Sequence, residues 1–416
     1  MLCGTIFRLC AATMFKLAFR NIFRNRSRTA LTLAAIVTGV TAIIVSGGFI
    51  EDTFAQLRES TIHSRLGHMQ IYRQGYLGYG QRDPSSYLIS QPKLVIDALR
   101  PIPHVKEVMA RLNFSGLANN GQADLPIIGE GVEPDKEARL GTATTLVAGR
   151  ALQDSDAFGV AIGEGVATAL QLKPGSYLTL MINTPEGALN TLEFEVVGVF
   201  RTFSKDYDDR AVRIPLAAAQ ELLFTPSVHS LVVLLDDTDA TDKVAGVVRA
   251  MLEKQGYEAK PWHELADFYS KTVALYKRQF GALQFIILVM LVLSVASTIN
   301  MAVFERTGEF GTLLAIGLRR LQIFKLVLLE NILLGFLGGT LGMVVGIILA
   351  SIISGIGIPM PPPPGSNIGY VAHVRLVPWV LVAAAVIGAL AALVAAVLPG
   401  RRASRLPVVE ALRHNI

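Results

Sequence analysis

Four stretches without a charged residue constrain this chain more than any other feature: 29–50, 279–304, 331–356 and 376–400. Each exceeds the about 20 apolar residues that carry a helix across the hydrocarbon core of a bilayer. A soluble fold would have to bury four such helices in one core. The reading is therefore a membrane protein with four transmembrane helices, over 29–50, 280–303, 326–356 and 376–398.

Charge orients the spans. The first 28 residues carry Arg8, Lys16, Arg20, Arg24, Arg26 and Arg28 and no acid. Segment 304–325 carries Arg306, Arg319, Arg320 and Lys325 against Glu305 and Glu309, and the tail from 399 carries Arg401, Arg402, Arg405 and Arg413 against Glu410. The net charge of the whole chain is +5, so the remainder is acidic. Arginine and lysine concentrate in the cytoplasmic flanks of spans. Both termini and 304–325 are thus expected in the cytoplasm, with 51–275 and 357–375 on the outer side of the membrane. Juxtamembrane arginine accounts for the basic balance without nucleic acid. Cys3 and Cys10 both precede the first span, so no disulfide is expected in the external domain, and Leu9-Cys10 lacks the small residues of a lipoprotein signal. The first span is too long and too arginine-flanked for a cleaved leader.

Taken in order, residues 1–28 end in a sided pattern. Phe15, Leu17, Ala18, Ile22 and Phe23 interleave with Lys16, Arg20, Arg24 and Arg26, which predicts an amphipathic helix on the inner membrane surface; the plainer reading is a topology signal. A helical extension, Glu51 to His63, is expected to lead the first span into the external domain. That domain, 51–275, alternates like strands at His68–Tyr72, Leu125–Ile128, Tyr177–Ile182, Leu192–Phe200 and Ser230–Leu235. Helical patterns fall at Pro92–Leu99, Gly165–Leu170, Pro215–Leu223 and Lys243–Gln255. The fold class is therefore α-helical membrane protein with a large α+β extracytoplasmic domain inserted between helices 1 and 2. Its two membrane-proximal ends are expected to pair, leaving about 111–224 as a strand-rich subdomain.

The third span carries Gly335, Gly338, Gly339, Gly342 and Gly346. Their four-residue spacings predict one close-packing face, used within the chain or between subunits. Glu330, at the inner edge of that span, is expected to face protein or the interface rather than lipid. The loop 357–375 contains the stiff run Pro359 to Gly365. The fourth span is expected to end at Pro399, with a second surface helix starting near Pro407 in the tail 399–416.

No stretch offers enzyme chemistry. A phosphate loop, HExxH, CxxC and GxSxG are all missing from the sequence. His63 and His68 read as ordinary polar residues rather than metal ligands. Asp206, Asp208 and Asp209 beside Tyr207 read as a solvated turn rather than a cation site. No chain of ionisable residues crosses the spans, which argues against ion coupling. No catalytic residue, metal or cofactor site is therefore expected in this chain.

What remains is the turn between the second and third spans, Glu305-Arg-Thr-Gly-Glu-Phe-Gly-Thr-Leu-Leu-Ala-Ile-Gly317. Its spacing predicts a short helix with Thr307 as N-cap and Gly317 as the C-terminal stop. A helix this short needs a packing partner.

These residues resemble the permeases of the MacB and lipoprotein-releasing class of ABC transporters, which end in an FtsX-like permease domain. The resemblance rests on Leu17-Ala-Phe-Arg-Asn-Ile-Phe-Arg-Asn-Arg-Ser-Arg-Thr before the first span. It rests also on Gly163-Glu-Gly-Val-Ala-Thr-Ala-Leu-Gln-Leu-Lys-Pro-Gly, Val196-Val-Gly-Val-Phe, Tyr207-Asp and Ile214-Pro-Leu in the external domain. The 305–317 turn and the tail Pro399-Gly-Arg-Arg-Ala-Ser-Arg-Leu-Pro-Val-Val-Glu-Ala-Leu complete it. It implies a permease dimer, of identical or paralogous copies, working with two copies of a separate cytoplasmic ATPase that binds the ATP and magnesium. It implies a MacB-like periplasmic core domain and transmission of force rather than a pore. The lack of a fused ATPase and the stretch Gly67 to Ile71 lean toward the lipoprotein-releasing members. Lipoproteins or other amphiphiles are then the implied cargo, with a periplasmic carrier or adaptor as a further partner. Alternatives are MacB-like export of peptides, toxins or drugs, and activation of a cell-wall hydrolase.

In that family the 305–317 turn is a coupling helix that docks in a groove of the ATPase. Glu305, Arg306 and Glu309 would form rim charge pairs, and Phe310, Leu313 and Leu314 the buried anchors. The alternative is a plain hairpin connector.

Overall fold

The computed structural model describes residues 17–22, 24, 26–80, 84–140, 144–184, 187–202, 204–362, 369–405 and 407, apart from the side chain of Phe268. Cys3, Cys10, Phe15, Lys16 and Phe23, the end of the proline loop and the expected tail helix lie outside them. The chain divides into two compact units.

The helical unit comprises Met1–Phe54, Ala274–Ile358 and Val371–Ile416. Among the described residues, four helices are long and apolar enough to cross a membrane. They are α1 (Arg26–Thr61), α2 (Asp267–Glu305), α4 (Arg320–Ile356) and α5 (Pro378–Ser404), with the short α3 (Thr307–Ala315) between α2 and α4. Helix is the only form in which so long an apolar segment satisfies its own backbone in lipid, short of a closed barrel. Within the unit, Ile36, Val40 and Ile44 of α1 form one core with Leu291, Val295 and Ile299 of α2 and Ala384, Ala391 and Ala395 of α5.

The glycines of α4 serve two neighbours rather than the single face expected. A Cβ on Gly338, Gly342 or Gly346 would stand 2.7, 2.8 or 2.8 Å from Ile36, Val40 or Ile44 of α1. A Cβ on Gly335 or Gly339 would stand 3.0 Å from Ala389 or Ala385 of α5. Three residues turn a helix to within about 60° of a full circle, so stripes begun at 335 and 338 diverge enough to face different helices. Thr41 adds a hydroxyl bond of 3.2 Å to the Gly342 carbonyl.

The expected stop at Pro399 does not occur, since α5 continues to Ser404. Proline removes one hydrogen bond and crowds the preceding turn. That turn is built of Ala395 and Ala396, both buried.

In the second unit, Ala55–Val273 with Pro359–Tyr370, ten strands among the described residues join in one sheet. They are β1 (Met69–Arg73), β2 (Val105–Asn119), β3 (Asp124–Val132), β4 (Thr145–Gly149), β5 (Gly159–Gly163), β6 (Tyr177–Asn183), β7 (Leu189–Arg201), β8 (Ala211–Pro215), β9 (Ser230–Leu235) and β10 (Tyr257–Pro261). β10, β1, β9 and the first half of β2 form an antiparallel sheet. The second half of β2 pairs with both β3 and β6. The circuit β2-β3-β8-β5-β7-β6 then returns to β2 and closes a barrel.

Each part has its own core. Phe114, Ile162, Leu180, Phe194 and Ile214 fill the barrel. Ile71, Leu99, Leu231, Val233 and Val248 lie between the open sheet and the helices Pro92–Leu99 and Thr241–Leu252. Strands β2, β4, β5, β8 and β10 are not anticipated from alternation. β5 and β8 are buried throughout, and a strand covered on both faces loses the period of two that marks a half-exposed one.

Candidate functional site

The turn between α2 and α4 is a knot of ion pairs. Arg306, not Thr307, stands at the N-cap of α3. Thr307 is its first residue, and its hydroxyl instead donates back to the Phe304 carbonyl at 2.6 Å. Gly317 closes the turn at φ 104, a left-handed value that costs glycine little.

The Arg306 guanidinium donates to Glu330 of α4 through Nη1 at 2.7 Å, and to Glu309 through Nε at 3.1 Å. Its charge lies 5.1 Å from the ring centre of Phe310. Burial alone would push this guanidinium down, but the Glu330 and Glu309 carboxylates outweigh it and hold it above its ordinary range. Asn21, from the helical residues ahead of α1, donates to Glu330 at 2.6 Å. Arg24 pairs with Glu309 and Arg28 with Glu305. Every acidic side chain of the turn is thus held by a cation of the same unit. A cavity of about 60 Å³ beside this network is lined by Asn21, Thr29, Arg306, Glu330 and Asn331.

This arrangement revises the expected anchors. Phe310 is 0% exposed and packs into the unit's own core with Ile323 and Val327. A ring already covered by its own chain cannot be an anchor for another, so Phe310 is corrected to a structural residue. Leu313 and Leu314 are partly buried against the same core. Glu305 and Glu309 keep an exposed edge, their side chains being 34% and 43% exposed. The free apolar group is one that periodicity did not single out: Ile316 is 75% exposed, beside the exposed Arg319 and Arg320. Its position just past the helix, next to Gly317, was the available signal. In the preceding helical residues, Ala18 and Ile22 are buried, while Leu17 and Phe19 are exposed.

A second charged network, inside the external unit, was missed altogether. Glu130 of β3 is 1% exposed. It accepts from Tyr207 Oη at 2.7 Å, Arg65 Nε at 2.9 Å and Arg213 Nε at 3.4 Å. Burial would push its carboxyl up, but Arg65, Arg111 and Arg213 outweigh that and hold it well below the usual carboxylate range. Burial pushes the Tyr207 hydroxyl up, so it stays a donor. Arg111 pairs with Glu137 and donates to the Arg65 carbonyl at 2.6 Å, and Arg213 donates to the Ser64 carbonyl at 3.3 Å. Ser64 and Arg65 belong to the π-helical turn Ile62–Leu66, which ends at Gly67 with φ 65. The network therefore grips that turn from β2, β3 and β8.

The Asp206–Asp209 turn is corrected by the same packing. Asp208 is 0% exposed and accepts from the Thr202 amide at 2.9 Å and hydroxyl at 2.7 Å. A solvated turn is thus the wrong description of Tyr207 and Asp208. His68 is buried, with the Leu235 amide donating to its Nδ1 at 3.1 Å. Among the described residues no group of histidines, cysteines and carboxylates could hold a metal ion.

Residues 29–251 match the MacB-like periplasmic core domain, and residues 281–408 the FtsX-like permease C-terminal domain. An uncharacterized ABC transporter permease of Methanocaldococcus jannaschii is 23% identical over 95% of this chain and 96% of its own. The uncharacterized ABC transporter permease YvrN of Bacillus subtilis is 24% identical over 96% of this chain and 99% of its own. The macrolide export ATP-binding/permease protein MacB of Hyphomonas neptunium is 26% identical over 96% of this chain; this chain spans only 60% of that longer protein. The chain therefore belongs to the family of the MacB-like periplasmic core domain, as an ABC transporter permease of the MacB/FtsX type.

Proposed function

We propose that this chain is the transmembrane subunit of an inner-membrane ABC complex driven by a separate ATPase, which binds ATP and magnesium and docks on the turn around α3. Both termini and the turn lie on the cytoplasmic side in this reading, and two permease copies, identical or paralogous, form the working pair. One observation carries it. Glu309 of α3 pairs with Arg24 ahead of α1 and with the N-cap Arg306, Arg306 pairs in turn with Glu330 of α4, and Arg28 of α1 pairs with Glu305 at the end of α2, while Ile316 stands exposed just past α3. A push on α3 would then move the spans as a body, and α1 and α2 continue beyond the helical unit. Force transmission rather than a pore is the mode that the likeness to the MacB/FtsX-type permeases suggests, and the four uncharged runs argue against ion coupling.

The cargo is an amphiphile taken up on the external side. Lipoproteins drawn from the outer leaflet are one reading. Export of small molecules with periplasmic and outer-membrane partners is the second, favoured by relatives named for macrolide and pyoverdine export.

Co-purification with the cognate ATPase tests the docking. Ile316→Asp should abolish a stable complex while the permease inserts and melts as the wild type does. An intact complex with unchanged ATP turnover would overturn the assignment.

A further inference from the structure

The arginines that end α5 take no part in the turn. Arg401, Arg402 and Arg405 line an open groove of about 970 Å³, and its apolar walls include Met301 and Phe304 of α2 and Leu398 of α5. All three apolar side chains are at least 60% exposed. Among the described residues, none of these guanidiniums makes an ion pair or a side-chain hydrogen bond. Among the described residues no carboxylate lines the groove. The nearby acids are already engaged, Glu305 by Arg28, Glu309 by Arg24 and Arg306, and Glu330 by Arg306.

Unpaired cations facing apolar side chains across two membrane-spanning helices suit one chemistry, an anion that carries hydrocarbon. Basic pockets between spans recognise phospholipid headgroups in this way, and guanidinium pairs with phosphate through two parallel hydrogen bonds. We propose that this groove binds an anionic phospholipid. Its phosphodiester sits among Arg401, Arg402 and Arg405, and an acyl chain lies along Met301, Phe304 and Leu398. A zwitterionic lipid would set a quaternary ammonium against the same arginines and bind less well. Asn300 offers an amide for the glycerol region. Thr307, the first residue of α3, also lines the groove, so an occupied site would adjoin the charged turn.

Native mass spectrometry of the purified full-length protein, titrated with dioleoylphosphatidylglycerol or dioleoylphosphatidylcholine, tests this. Phosphatidylglycerol should bind at least about tenfold more tightly than phosphatidylcholine. R401Q/R402Q/R405Q should lose at least about tenfold in affinity for phosphatidylglycerol, and R401K/R402K/R405K should stay within about threefold of wild type. The lysine variant and the lipid selectivity decide the matter if the glutamine variant fails to fold. R319Q/R320Q/K325Q, which removes as much charge outside the groove, should leave the affinity unchanged. Equal binding of the two lipids would overturn the proposal, as would full binding by the glutamine variant or an equal loss in the 319–325 control. A tenfold gain on removing residues 408–416 would overturn it too, because the chain's own tail would then be the occupant.

Discussion

Arg306 donates to Glu330 at 2.7 Å across the junction between the charged turn and α4, with side chains only 11% and 10% exposed. Glu330 is buried at the edge of the uncharged run 331–356 of α4, and without Arg306 its charge would have no cation beside it. Truncating one partner of such a pair leaves the other uncompensated, at about 3 kcal/mol. Glu330→Ala should therefore lower the melting temperature of the purified protein strongly. The double variant R306A/E330A should be less destabilised than either single one, and a strictly additive double-mutant cycle would show that the pair is not coupled.

Phe310 and Ile316 should separate stability from docking. Phe310→Ala opens a cavity in the chain's own core and should cost about 3–5 kcal/mol, measured on the permease without any ATPase present. Ile316→Ala should alter stability by less than about 0.5 kcal/mol. Replacing Glu309 and Phe310 together, the docking test that the sequence suggests, would mix the two effects.

The glycines of α4 divide by what surrounds them. A Cβ on Gly342 would stand 2.8 Å from Val40 Cβ, whereas one on Gly355 meets nothing within 4 Å. Gly342→Ala should destabilise by about 1–3 kcal/mol through overpacking. Gly355→Ala should be neutral or stabilise by up to about 1 kcal/mol, since alanine is the better helix former. Unfolding of the two variants in parallel checks the contrast.

The external unit should lose stability in mildly acidic solution. Burial holds the His68 and His229 imidazoles down at about 4. In each, Nδ1 accepts a backbone amide, from Leu235 and Asn113 respectively. The unfolded chain takes up these protons first, near pH 6.5. The stabilisation is therefore complete above about 6.5 and is lost as pH falls toward 4. Calorimetry at pH 7.5 and 5.0 should show a loss on the order of 2 kcal/mol for each histidine. His229→Gln should remove about half of it, and an unchanged drop would assign the effect elsewhere.

Hydropathy and charge made the gross plan legible. A run such as 331–356 declares a span by its length, whatever it packs against, and the alternation over Tyr177–Ile182 lies within β6, whose exposure alternates. The strands β5 and β8 were missed although they are no more buried than β9, whose residues 231–235 form a longer run of aliphatic side chains than either. The candidate site was legible in place but not in detail. The segment 305–317 was located from its charges and glycines, yet the residue taken as its apolar anchor is covered and the exposed one was passed over.

The sequence by itself determined four spans, a mixed α/β domain between the first two, and a charged turn between the second and third. These follow from local quantities, namely run length, periodicity and the placement of arginine. Only the tertiary structure decided that Phe310 faces inward, that Asp208 is buried, that the α4 glycines serve two helices, and that Asn21 meets Glu330 across 309 residues. Local pattern tells that a side chain is polar or apolar. Which partner satisfies it depends on segments far apart in the chain, and the folded packing brings those together.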